Sequence, residues 1–149
     1  MIRSLVVALV VAVSFIEVGH ALPQPSQSTQ SMSSGGAVFV AYFWRAKPGQ
    51  ADAYGNYIKT TAEPIDENAR RAGAFEEVRT VTPAAGTTAD WTHLRIFRLK
   101  NMAAAEALGA ALDAATARVV PDEAQRKANS ERSAGMRDFV RREVWTELR

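Results

Sequence analysis

From Trp91 to Leu99 the chain alternates, with Thr92, Leu94 and Ile96 on one side and Trp91, His93, Arg95 and Phe97 on the other. Period-two alternation of this kind predicts a β-strand, and the second face mixes large rings with nitrogen-rich polar groups. Ala37–Trp44 is apolar at every position and rich in β-branched and aromatic residues, which predicts a central strand covered on both faces. Between them, Ala51, Tyr54, Ile58, Thr61/Ala62, Ile65, Ala69 and Ala72 recur at three- and four-residue steps, the stripe of a helix from Gln50 to Ala72. Pro64 lies inside that stripe and predicts a kink or short break, and Gly73 supplies a stop. Phe75–Thr82 reads as a more polar strand towards a sheet edge, joined to the 91–99 strand by the turn-rich segment 83–90 as an antiparallel hairpin.

Asn101 is an N-cap residue type, and Met102, Ala105, Leu108, Leu112, Ala115 and Val119 form the stripe that follows it. Val120-Pro121 ends this helix, and Pro121-Asp-Glu123 starts a shorter one with proline first and acids in the first turn, closing at Gly135. Met136–Leu148 is the last strand, with Val140, Val144 and Leu148 on one side and Phe139, Arg141, Glu143, Trp145 and Glu147 on the other. The order βαββαβ predicts a ferredoxin-like α+β domain, two helices over one face of a four-stranded antiparallel sheet. The face without helices is then expected to carry Trp91, Phe97, Phe139 and Trp145 and to meet a second copy of the chain.

Ahead of the domain, Met1-Ile-Arg3 precedes an apolar run from Leu5 to Ile16, too short for a bilayer span, which needs about 20 residues. It fits the apolar region of a secretory signal, with Gly19-His-Ala21 placing small residues for cleavage after Ala21; the alternative is an uncleaved anchor. Residues 22–36 read as a flexible Ser- and Gln-rich leader, leaving 37–149 as the folded domain of a secreted or periplasmic protein. Cleavage there would leave His93 as the single histidine.

Composition narrows the chemistry. The 149 residues carry a formal charge of +2 and no basic run longer than two, which argues against nucleic acid as a partner. There is no cysteine, so thiol nucleophiles, thiolate metal sites and disulfides are excluded, and two histidines make a histidine metal site improbable; no metal ligands are assigned. The glycines are scattered rather than gathered into a phosphate loop, and neither a Gly-x-Ser-x-Gly elbow nor a His-Glu-x-x-His motif occurs.

Val38–Arg45, followed by Lys47-Pro-Gly-Gln50 and a helix, resembles the opening of dimeric α/β-barrel proteins, and Arg142-Glu-Val-Trp145 fits the last strand of that superfamily. The resemblance spans residues 37–148 and implies a homodimer in which two ferredoxin-like sheets join into one barrel. The superfamily includes antibiotic-biosynthesis-type monooxygenases that work without a bound cofactor, haem-degrading proteins, and members with no known reaction. It implies a ligand site between sheet and helices or within the barrel, and no cofactor is expected. The haem-degrading pattern places its iron-binding histidine on a helix, whereas His93 reads as a strand residue, so that site is not carried over.

Within this frame His93 is the catalytic candidate, as the one mature side chain that titrates near neutrality. The competing role is a hydrogen bond to Glu143 or another carboxylate at the dimer interface. Arg95 suits an anionic ligand or an interfacial glutamate. Trp91 and Trp145 suit stacking on a flat aromatic molecule, or core and interface packing, and Trp44 and Tyr42 share the ambiguity. Tyr57, three residues after Tyr54, and Asn68, which interrupts the end of the helical stripe, are the remaining ligand-binding candidates. Three functions stay open: an exported homodimer that binds a small apolar or aromatic molecule, a cofactor-independent monooxygenase-like enzyme, and a structural domain without a ligand.

Overall fold

The computed structural model describes residues 36–148; the signal and leader expected before residue 36 lie outside them. β1 (Val38–Ala46) leads into α1 (Ala51–Tyr57), a π-helical turn (Ile58–Ala62) and α2 (Glu63–Arg71). Then come β2 (Glu77–Val81), β3 (His93–Leu99), α3 (Met102–Val119), α4 (Glu123–Met136) and β4 (Arg137–Thr146). The strands order as β2-β3-β1-β4, every neighbouring pair antiparallel, so apolar β1 is central and the more polar β2 lies at an edge as expected. This is the ferredoxin-like α+β arrangement.

The break expected at Pro64 is the π-helical turn just before it. Proline offers no N–H and its ring crowds the carbonyl four residues back. Widening the preceding turn accommodates both, and the N–H of Glu63 bonds to Ile58 O, five residues back, so the helix runs on without a gap. Asn101 caps α3 by accepting from the N–H of Ala104 at 2.9 Å. At α4 the cap is Asp122, accepting from Gln125 N–H at 2.6 Å, which puts Pro121 one residue outside the helix rather than at its first position.

The main core lies between sheet and helices. Val38 and Val40 from β1 and Phe97 and Leu99 from β3 pack against Ala69, Ala105, Leu108 and Ala115, with Phe75 closing one end. Alanines on α2 and α3 bring the helix backbones close to the sheet and to each other.

Two facts correct the expected distribution of faces. His93, Arg95 and Phe97 point towards the helices, not away from them: Phe97 is a core residue, and Arg95 meets Asp66 of α2 in a buried ion pair. A charged side chain faces the helix layer because a helix supplies its counter-ion. Trp91 falls outside the alternation, since β3 begins only at His93, and its ring packs edge-on against Phe43 on the other face, centroids 5.8 Å apart. The second correction is a β-bulge. Phe43 pairs with Arg141 but Trp44 pairs with Phe139, so Val140 is the extra residue. The phase of β4 flips there: Phe139 sits with Trp44, while Arg141, Glu143 and Trp145 occupy the helix-free face. On that face Ala41, Phe43 and Leu94 are buried beneath Trp91, Ile96 and Val140.

Candidate functional site

The space between sheet and helices is not completely filled. A cavity of about 370 Å³ has Tyr42, Trp44, Arg95 and Phe97 of the sheet as its floor. Tyr54, Tyr57, Ile58, Ile65 and Asp66 make one wall, and Gly109, Leu112, Asp113 and Thr116 of α3 the other. Arg137, at the start of β4, closes the end. Gly109 borders the cavity without a side chain, and a methyl group built there would meet nothing within 4 Å.

Its polar groups are held in place. Arg95 gives Nη2 to the Asp66 carboxylate, and both side chains are buried. The guanidinium of Arg137 lies 3.2 Å from the centroid of the Trp44 ring and 5.2 Å from that of Tyr54, and its Nε donates to Ser133 Oγ at 2.8 Å. Tyr54 and Tyr57 stack with an 18° interplanar angle and centroids 6.4 Å apart. Burial pushes the Tyr54 phenol up to about 12, against the opposing pull of Arg137 and Arg95, so at neutral pH it is an uncharged donor. Burial also holds the Asp66 carboxyl above the ordinary range even though Arg95 favours its charged form. Arg137 is shifted down by the same desolvation, with the two tyrosines opposing.

Of the ligand-binding candidates, the cavity brings together Arg95 and Tyr57, and beside them Tyr42, Trp44 and Tyr54, whose rings the sequence left between ligand and packing roles. His93 stands behind Tyr54, the two rings edge-on at 4.8 Å, and opens instead onto a separate depression shared with Asp52, Trp91 and the loop before β3. Its Nδ1 is 2.9 Å from Thr92 Oγ1, and burial lowers its proton affinity, favouring the neutral ring. The expected contact to Glu143 does not form, because the two residues face opposite sides of the sheet; Glu143 accepts from Arg141 Nε at 2.6 Å and from Trp145 Nε1 at 2.9 Å. Arg95 likewise meets Asp66 within its own domain rather than an interfacial glutamate. Asn68 is a tie between helices, accepting from Arg118 Nε at 2.8 Å. Trp91 and Trp145 both flank Phe43 on the helix-free face.

Asp66 and Arg137, the charged groups beside Arg95 in the lining that are not exposed, escaped the sequence reading. Asp66 carried a signal: it falls on the apolar stripe, four residues after Ala62 and three before Ala69, where a carboxylate needs a partner. Arg137 carried none, being one of several arginines in the last strand.

Chemically, the cavity is lined by aromatic rings, two guanidinium groups and a buried phenol. No family model matches this sequence, and no curated protein is similar to it. Among solved structures, HapK from Hahella chejuensis aligns over 74% of this chain and 92% of its own, with 12% identity and a TM-score of 0.51. An EthD-like protein from Ralstonia eutropha JMP134 aligns over 74% and 91%, with 15% identity and a TM-score of 0.46. A dimeric protein of unknown function and ferredoxin-like fold from Bacteroides fragilis aligns over 74% and 93%, with 10% identity and a TM-score of 0.42. The likeness to HapK concerns fold alone, the ferredoxin-like α+β arrangement described above.

Proposed function

We propose that the protein is an exported homodimer that binds a small aromatic molecule in the cavity between its sheet and its helices. The observation that carries this reading is the cavity itself: about 370 Å³, with Tyr42, Trp44, Tyr54, Tyr57 and Phe97 around it, a size and lining suited to a small ligand. Binding without transformation is favoured over oxygenase chemistry because His93, the residue that motivated a base, lies behind Tyr54, and a general base must reach its proton within hydrogen-bond distance. Gly109→Leu tests the site without touching the core. Removing a mid-helix glycine is expected to raise stability by up to about 1 kcal/mol. The new side chain should occupy the cavity and weaken binding of a fused-ring aromatic such as 2-naphthoate by about tenfold or more, measured by calorimetry. Unchanged affinity would place the ligand elsewhere.

The partner is a second copy, seated on the helix-free face. Phe39, Ile96 and Trp145 line a shallow basin of about 410 Å³ there, ringed by Glu77, Arg79 and Arg98. An apolar basin with charges of both signs around it suits a self-complementary two-fold contact. Ile96→Lys adds a third positive charge beside Arg79 and Arg98 and is expected to weaken the dimer at least about 100-fold. Export is supported by the charged start and apolar run of residues 1–21. Light scattering on the protein recovered from the envelope or medium should give twice the mass of the chain from Leu22, and a single-chain mass for Ile96→Lys. A wild-type monomer at tens of micromolar would refute the pairing.

A further inference from the structure

We infer that the occupant of this cavity is an aromatic carboxylate, its anionic head seated against Arg95 and Arg137 and its ring lying along Tyr42 and Tyr57. The inference rests on the binding role proposed above and adds the chemical class of the ligand.

The reason lies in hydrogen bonds that the protein leaves unmade. Arg95 Nε and Arg137 Nη1 are both shut off from solvent and without a partner. Buried donors are nearly always bonded, and an arginine normally finds acceptors for its fork of N–H groups. Here Arg95 gives one nitrogen to Asp66 and Arg137 gives one to the neutral hydroxyl of Ser133. Among the described residues no carboxylate forms an ion pair with Arg137, and the other acid lining the cavity, Asp113, is exposed on α3. The cavity is thus lined by two guanidinium groups, with Asp66 as its one buried carboxylate.

Each guanidinium is fixed by something other than a ligand, Arg95 by Asp66 and Arg137 by the Trp44 face and Ser133. That is a preorganised anion site, because the side chains need not be ordered at the moment of binding. A carboxylate matches it in shape: its two oxygens fit the planar fork of a guanidinium, which a neutral amide or ester cannot do in charge-assisted form. Tyr54, uncharged at neutral pH, adds a donor rather than a competing anion. The stacked Tyr54–Tyr57 pair, with Tyr42, Ile65 and Leu112, leaves apolar surface for the body of the ligand.

Calorimetric titration with 2-naphthoate and with 2-naphthamide, alike in ring and nearly alike in size, tests the charge. At pH 7 and low salt, naphthoate is expected to bind at least about tenfold more tightly. Arg137→Gln should abolish that preference, bringing the naphthoate:naphthamide affinity ratio close to one, and Arg137→Lys should keep part of it. Equal affinity of the two probes for the wild-type protein overturns the anion and leaves the aromatic cavity standing. Binding of neither probe overturns both. Should Arg137→Gln fail to fold, the wild-type ratio and its decline with added salt decide the matter alone, a ratio indifferent to salt being the negative result.

Discussion

Replacing Asp66 by alanine is expected to destabilise the domain by about 3–5 kcal/mol, read from denaturant unfolding at neutral pH. Both members of the Asp66–Arg95 pair are buried, with side chains 6% and 11% exposed. Removing the carboxylate strands a guanidinium that cannot escape by losing its proton, since arginine stays charged throughout the accessible pH range. It would remain in the helix-facing layer with an unsatisfied Nε and a second cation, Arg137, lining the same cavity. The reverse variant, Arg95→Met, behaves differently, because an aspartate can take up a proton. Asp66 already sits above its ordinary range through burial, and Arg95 is the group that pulls it down. Without Arg95 the folded-state value rises further above the unfolded one, about 4. The neutral acid then contributes stability that is full below the unfolded value and is lost as pH rises through the folded value. Arg95→Met is therefore expected to come nearest to wild type in acid and to fall away towards neutral pH, whereas Asp66→Ala should show no such recovery. The double variant Asp66→Leu/Arg95→Met, with no charge left to strand, should regain most of the loss. If it melts with Asp66→Ala, the stranded charge is not the cause.

Phe97→Ala is expected to cost a comparable amount, about 3–5 kcal/mol. The ring is 2% exposed and makes edge contacts with Phe75 at 5.0 Å and Tyr42 at 5.9 Å. It belongs to the core and to the cavity floor at once. Truncation therefore does two things that separate in experiment: the melting temperature drops, and the cavity gains the volume of a ring. Rescue of stability by a ligand larger than naphthoate, measured as a ligand-dependent rise in Tm, would show that the new space joins the old. A loss below 1 kcal/mol would mean that the site collapses onto the missing ring and that Phe97 is not a pillar of the core.

The elements and their order were legible in the sequence because each rests on local signals: the all-apolar run of β1, the stripe broken at Pro64, the cap at Asn101 and the proline and acids that start α4. The orientation of β3 was not. A strand that alternates between Leu94 and Ile96 on one side and His93, Arg95 and Phe97 on the other looks the same whichever side the helices cover. The decision belongs to Asp66, a residue 29 positions away from Arg95 whose meaning appears only once the two elements are packed. The β4 bulge is a second such case. One unpaired residue, Val140, moves Phe139 to the opposite face from Trp145, although a regular strand would put both on the same one. As a result Arg95 and Tyr57 were found, Asp66 and Arg137 were missed, and His93 was assigned to a face it does not occupy.

The same bulge bears on how the protein avoids uncontrolled polymerisation. Both outer strands of a four-stranded sheet offer free backbone groups to any passing chain, and open sheets extend into ribbons when those edges are long, flat and apolar. Here β2 is five residues long and carries Glu77 and Arg79. β4 is longer, but it is bent at Val140 and studded with Arg137, Asp138, Arg141, Arg142 and Glu143. Neither border is a good template for another strand. That leaves the broad face of the sheet, the surface of the proposed dimer, for association, and a two-fold contact there closes on itself, so growth would stop at two.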